Sequence, residues 1–101
     1  MSLRTRVTNR DKGNFIISLE GSLDNDTYND FKKVVEATLK NPVTVLVLDL
    51  SGLEYISTLG VGALLKTKQS VEETEGNFSI INVQPQVQKI FNLIIYIIIK
   101  M

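Results

Sequence analysis

No cysteine and no histidine occur among the 101 residues. Together these absences remove thiol nucleophiles, imidazole acid–base catalysis, Ser-His-Asp triads and nearly every zinc site. An enzyme built on this chain would have carboxylates alone to work with, and neither a metal nor another cofactor is expected. Charge of one sign is not in surplus either: 11 Lys and Arg stand against 11 Asp and Glu. No net field draws in nucleic acid or an anionic membrane, and the basic residues cluster only at Lys32-Lys33 and at Lys66 and Lys68. A long hydrophobic run is also missing. The most apolar stretch, 93–99, falls far short of the ~20 residues a spanning helix needs, so no membrane insertion is expected. The first residues, Met1 to Arg6, carry no signal-peptide apolar core, and the absence of cysteine fits the cytoplasmic location this implies.

What is present is enough for one domain over residues 1–101, a length that buries roughly 60 to 70% of the unfolded surface in a single core. Residues 4–9 are polar and β-tolerant, and Lys12-Gly13-Asn14 supplies turn chemistry before Phe15-Ile16-Ile17-Ser18-Leu19, which predicts a hairpin. A loop rich in capping residues follows, Gly21-Ser22-Leu23-Asp24-Asn25-Asp26-Thr27. Tyr28, Phe31, Val35 and Leu39 then recur at helical steps, giving a helix from about 25 to 40 that Asn41-Pro42 stops. The aliphatic run 43–50 reads as a strand covered on both faces. Tyr55-Ile56 leads from it into a second helix, whose apolar stripe is Val61, Leu64, Leu65 and Val71 and whose C′ stop is Gly76. Phe78 to Val83 is a further strand, Pro85 opens a short third helix with Val87, Ile90 and Phe91 toward the sheet, and 94–99 reads as a last strand. That strand would be an aggregation hazard on a sheet edge. The order β-β-α-β-α-β-α-β gives the α/β class, a mixed and largely parallel sheet with helices packed on it, because parallel neighbours need crossover helices.

Ser57 and Thr58 stand where the second helix opens. A first turn leaves backbone N–H groups unpaired and carries the positive end of the helix dipole, so either hydroxyl serves as a simple cap or as a working group beside it. Gly60-Val61-Gly62 lacks the third glycine of a dinucleotide loop and the Gly-Lys-Ser/Thr of a phosphate loop. Gly60 instead reads as a place of close approach, to the loop after Ser22 or to a partner. Asp24 and Asp49 near strand ends are the only carboxylates placed for acid–base or magnesium chemistry. Both read as structural, with Asp24 also a candidate for a binding rim. Glu72-Glu73-Thr74-Glu75 is a solvated helix face.

The segments Gly21-Ser22-Leu23-Asp24 and Val47-Leu48-Asp49-Leu50-Ser51-Gly52-Leu53-Glu54-Tyr55-Ile56-Ser57-Thr58-Leu59-Gly60-Val61-Gly62, with Val83, Pro85, Val87, Ile90 and Phe91, resemble the STAS domain, specifically bacterial anti-sigma factor antagonists. The resemblance covers nearly the whole chain. It places the family's phosphoacceptor on Thr58, with Ser57 as the alternative. Ser57 stands where the family has an acid and Leu59 where it has a small residue.

By that resemblance the chain is no enzyme but the ligand and substrate of an anti-sigma factor that is also a serine/threonine kinase, with a phosphatase as a further partner. Docking would involve Ser22, Asp24, Ser57, Thr58, Leu59, Gly60 and Gly62. Binding would release a sigma factor, and phosphorylation would end it by adding about −1.5 to −2 charges at the helix start. The competing expectation is a STAS scaffold or transporter-associated subunit that does not switch. Family members often carry a further C-terminal helix, so the Ile-rich end is expected to pack on a partner or on a second copy, as in a homodimer.

Overall fold

The Lys12-Gly13 turn sets the sheet in motion, with Gly13 at a φ of 73° that a side chain would resist. It joins β1 (Leu3–Asp11) to β2 (Asn14–Leu23) in an antiparallel hairpin. The computed structural model describes residues 2–100, the side chains of 98–100 excepted. Beyond the hairpin the elements are α1 (Tyr28–Thr38), β3 (Val45–Ile56), α2 (Thr58–Glu73), β4 (Asn77–Ile81) and α3 (Pro85–Lys100). The sheet runs β1-β2-β3-β4, and both β2 with β3 and β3 with β4 pair in parallel. The mixed, largely parallel sheet of the sequence reading is therefore present.

Register puts the large apolar side chains in rows. Phe15, Leu46 and Phe78 align across three strands, as do Ile17, Leu48 and Ile80. On that face they join Phe31 and Val35 of α1, Val61, Leu64 and Val71 of α2, and Val87 of α3 in one hydrophobic cluster. The alternate side chains Ile16, Val45 and Val47 lie outside the cluster and are only half-buried. A strand clothed on both faces was expected at 43–50. The helices cover one face, and the continuous aliphatic run is explained by neighbours across the strands sheltering one another on the open face. Arg4 and Glu20 form an ion pair on that face, beside Gly52 in the register.

The last element departs from expectation. Residues 94–99 continue α3 rather than forming a strand, so the order ends β-α. No Gly or Pro interrupts the chain after Pro85, and Val87, Ile90, Phe91 and Ile94 fall at helical spacing against the core. That packing outweighs the weak helix propensity of isoleucine, a penalty of less than ~0.7 kcal/mol per residue. The result is a helix whose end is apolar all round, with Leu93 58% and Tyr96 60% exposed.

Smaller differences have local causes. α1 begins at Tyr28 because residues 24–27 are wound into a side-chain-bonded turn. Where Gly76 was expected to end α2 in left-handed backbone, Glu75 takes that conformation at a φ of 64°. Glu75 N–H donates to Glu72 O at 3.0 Å and Gly76 N–H to Val71 O at 3.0 Å, the paired bonds of a Schellman ending. Gly76 is small for another reason: a Cβ there would lie 3.0 Å from the Val43 carbonyl oxygen.

Candidate functional site

Two strand ends and one helix start converge. Leu23 closes β2 opposite Ile56, the last residue of β3. The Leu23 carbonyl accepts the Ser57 N–H at 2.9 Å, which bolts the entry of α2 to the end of β2. Gly60 completes the joint. A Cβ on Gly60 would lie 2.7 Å from that same carbonyl and 2.7 Å from Ile56 Cγ1, so only glycine lets the helix seat this closely. Of the two partners expected for this close approach, the loop after Ser22 and a partner surface, the structure shows the first, at Leu23.

Ser57 and Thr58 divide the work. Ser57 has extended backbone and its Oγ accepts the Gly60 N–H at 3.1 Å, while its carbonyl accepts from Val61 at 2.9 Å, so it is the cap of α2. Thr58 is the first helical residue and is exposed, and among the described residues its hydroxyl makes no hydrogen bond. No acidic residue occupies the first turn of α2, which leaves the positive end of its dipole uncompensated. Loss of the cap has a measurable effect: Ser57→Ala is expected to lower unfolding free energy by about 1 kcal/mol in urea titration.

The loop after β2 is built from its own polar groups. Asp24 Oδ1 accepts the N–H of Asp26 at 2.9 Å and of Thr27 at 3.1 Å. Thr27 Oγ1 accepts the Asp24 N–H at 2.9 Å and donates to the Ser22 carbonyl at 2.9 Å. Asp24 is thereby the organiser of a turn beside the helix start. Ser22 is buried, and its N–H donates to the Ser2 carbonyl at 2.9 Å. Thr27, which holds this loop together, was not singled out from the sequence because its signal is only that of one more capping residue.

Asp49 lies elsewhere. In the register it stands seven residues before Ile56, roughly 20 Å along the strand, so it forms no carboxylate pair with Asp24. Burial raises its pKa, but hydrogen bonds from the Ser51 N–H, the Asn82 amide and the Ser51 hydroxyl outweigh this and hold the carboxyl below its ordinary value. It anchors the segment between β4 and α3, and Gln84 adds a bond to the Ser51 carbonyl.

Outward from Thr58, Leu59 is 44% and Leu65 48% exposed. Leu65 was expected in the buried stripe. At 100° per residue it falls outside the arc of Val61, Leu64 and Val71, and Ala63 and Thr67 complete the buried face instead. Gly62 lies on the same outer face with nothing within 4 Å of where a Cβ would stand.

With this geometry in place, comparison with known proteins gives a consistent answer. The model of the STAS domain family matches residues 5–97. The chain belongs to the STAS domain family. A curated relative, an anti-sigma F factor antagonist of Lysinibacillus sphaericus, is 29% identical over 77 residues, covering 75% of this STAS chain and 66% of the relative. The present chain thus spans just under two thirds of that relative's length. An anti-sigma factor antagonist from Mycobacterium paratuberculosis superposes with a TM-score of 0.81 at 25% identity, over 91% of this chain and 77% of the other. The Bacillus cell fate determinant SpoIIAA in its phosphorylated form has the same fold, with a TM-score of 0.73 at 20% identity over 89% of this chain and 82% of its own. No helix among the described residues is long and apolar enough to cross a membrane.

Proposed function

We propose that this STAS domain is an anti-sigma factor antagonist, which binds an anti-sigma factor through the start of α2 and is released when Thr58 is phosphorylated. The observation that carries the reading is the division between adjacent hydroxyls. Ser57 is held as the helix cap, whereas Thr58 is exposed and its hydroxyl is unengaged among the described residues. A kinase reaching this corner meets one hydroxyl ready to accept a phosphoryl group.

The chemistry is electrostatic. Transfer of the ATP γ-phosphoryl to Thr58 Oγ1 forms the phosphoester, breaks the bond to ADP and releases the hydroxyl proton. The phosphate adds about −1.5 to −2 charges beside unpaired helix N–H groups, where negative charge is welcome on the free domain. A partner closed over Thr58 would have to strip water from that dianion, so the same modification that suits the free domain opposes the complex. The domain contributes no catalytic group to this exchange.

Incubation with the anti-sigma F factor of Lysinibacillus sphaericus and Mg·ATP, followed by intact-mass analysis, tests the reading. One phosphoryl group is expected on the wild type and on Ser57→Ala, and none on Thr58→Ala. A mass shift that persists in Thr58→Ala moves the acceptor elsewhere. Tight binding with no shift in any variant makes the domain a scaffold that does not switch.

A further inference from the structure

The two edges of the sheet are finished differently. β1 is guarded twice, by the charges of Arg4, Arg6, Arg10 and Asp11 and by a bulge between Asn9 and Asp11. Two β1 strands paired antiparallel about Val7 would set Arg4 opposite Arg10 of the second copy, so like charges oppose that contact. β4 has no such protection: residues 76–88 contain no Asp, Glu, Lys or Arg, the strand has no proline, and its ladder with β3 runs without a bulge. Among the described residues no further strand pairs with its outer side. Phe78 and Ile80 belong to the helix-covered face yet are only half-buried, and Ile81 is 41% exposed. The segment leading into α3 is tied to Asp49 and Ser51 where β4 stops, through Asn82 and Gln84, so α3 starts from this same edge.

We propose that β4 is the dimer interface of this chain, pairing antiparallel with β4 of a second copy about a twofold axis at Ser79. Strand alternation restricts the register, because only a pairing centred on a residue keeps the covered and open faces matched. Centring it on Ser79 uses the whole strand, with Phe78 opposite Ile80 of the second copy on the covered face and Asn77 opposite Ile81 on the open one. Symmetry repeats each pair, no charges meet, and two four-stranded sheets become one continuous sheet in which the unguarded edge is closed. Ile81 with the exposed Leu93, Ile95, Tyr96 and Ile97 of α3 offers on the order of 500 Å² of apolar surface per protomer, which with the strand edge approaches the roughly 800 Å² per partner of a standard interface. Nothing in this pairing requires the antagonist reading.

The chain's lack of cysteine supplies the test. In an antiparallel pair, Cα atoms directly opposite are about 4.5–5.5 Å apart, within the roughly 4.4–6.8 Å that a disulfide spans. Ser79→Cys is therefore expected to cross-link to itself under mild oxidation. Thr8→Cys, in the same register row at the guarded edge, is expected to remain a single chain on a non-reducing gel. Sedimentation equilibrium is expected to show a wild-type dimer, and Ser79→Lys, which sets two ammonium groups against each other on the axis, to dissociate at least tenfold more readily. Thr8→Lys is expected to dimerise as the wild type does. Ser79 and Thr8 are both exposed, so these changes leave the fold intact, as far-UV circular dichroism checks. A monomeric wild type would overturn the interface. So would a dimer in which Ser79→Cys fails to cross-link, since the contact then lies elsewhere, as on α3 alone. Equal cross-linking of Ser79→Cys and Thr8→Cys would reduce the bond to random collision and overturn it as well.

Discussion

Leu48→Ala is expected to lower the unfolding free energy by about 2–5 kcal/mol, whereas Val47→Ala, one residue away, costs about 1 kcal/mol or less. Leu48 is fully buried between Ile17 and Ile80 on the helix-covered face. Removing three of its carbons leaves a cavity that the flanking strands are too constrained to close. Val47 points to the open face and is only half-buried, so its truncation leaves a hollow that water fills. Chemical denaturation with both variants measures the difference directly. Similar costs at the two positions would mean that the sheet is covered on both faces after all. For a domain with a typical total stability of about 5–15 kcal/mol, the larger effect takes away a substantial part of the margin.

Gly60→Ala is expected to destabilise by about 1–3 kcal/mol, in contrast to the stabilisation expected from the same change at Gly62. The added methyl would meet a backbone oxygen at 2.7 Å, and a backbone oxygen cannot swing aside as a side chain can. Relief requires the start of α2 to lift from β2, which also stretches the Ser57 to Leu23 bond. Any gain in helix propensity, about 0.5–1 kcal/mol, is smaller than this strain. Equilibrium unfolding in urea checks the sign, and a Gly60→Ala protein as stable as the wild type would show that the joint is soft.

How much of this was legible in the sequence depends on how many physical causes a residue pattern admits. The spacing of Tyr28, Phe31, Val35 and Leu39 with Asn41-Pro42 beyond has one reading, and α1 follows it closely. The run from Leu93 to Ile99 has two, since β-branched residues suit a strand while unbroken continuity from Pro85 suits a helix. Contacts of Ile90, Phe91 and Ile94 with the core decide between them, and those contacts are tertiary. Leu65 was misplaced because an apolar residue at the margin of a stripe does not reveal which side of the boundary it takes. At the site, the helix start and its two hydroxyls were visible in the order of residues. Their separation into cap and exposed group was not, because it rests on one 3.1 Å bond that only backbone geometry defines.

The Leu23 carbonyl has a further consequence for motion. One oxygen receives the Ser57 N–H and also backs the Gly60 Cα, so the first turn of α2 cannot fray alone as helix ends commonly do. Opening it means parting the ends of β2 and β3 at the same moment, which makes loop, strand ends and helix start one cooperative unit. Slow amide exchange at Ser57 would accordingly belong to that whole corner, and the hydroxyl beside it would be offered from a stiff platform instead of a mobile tip.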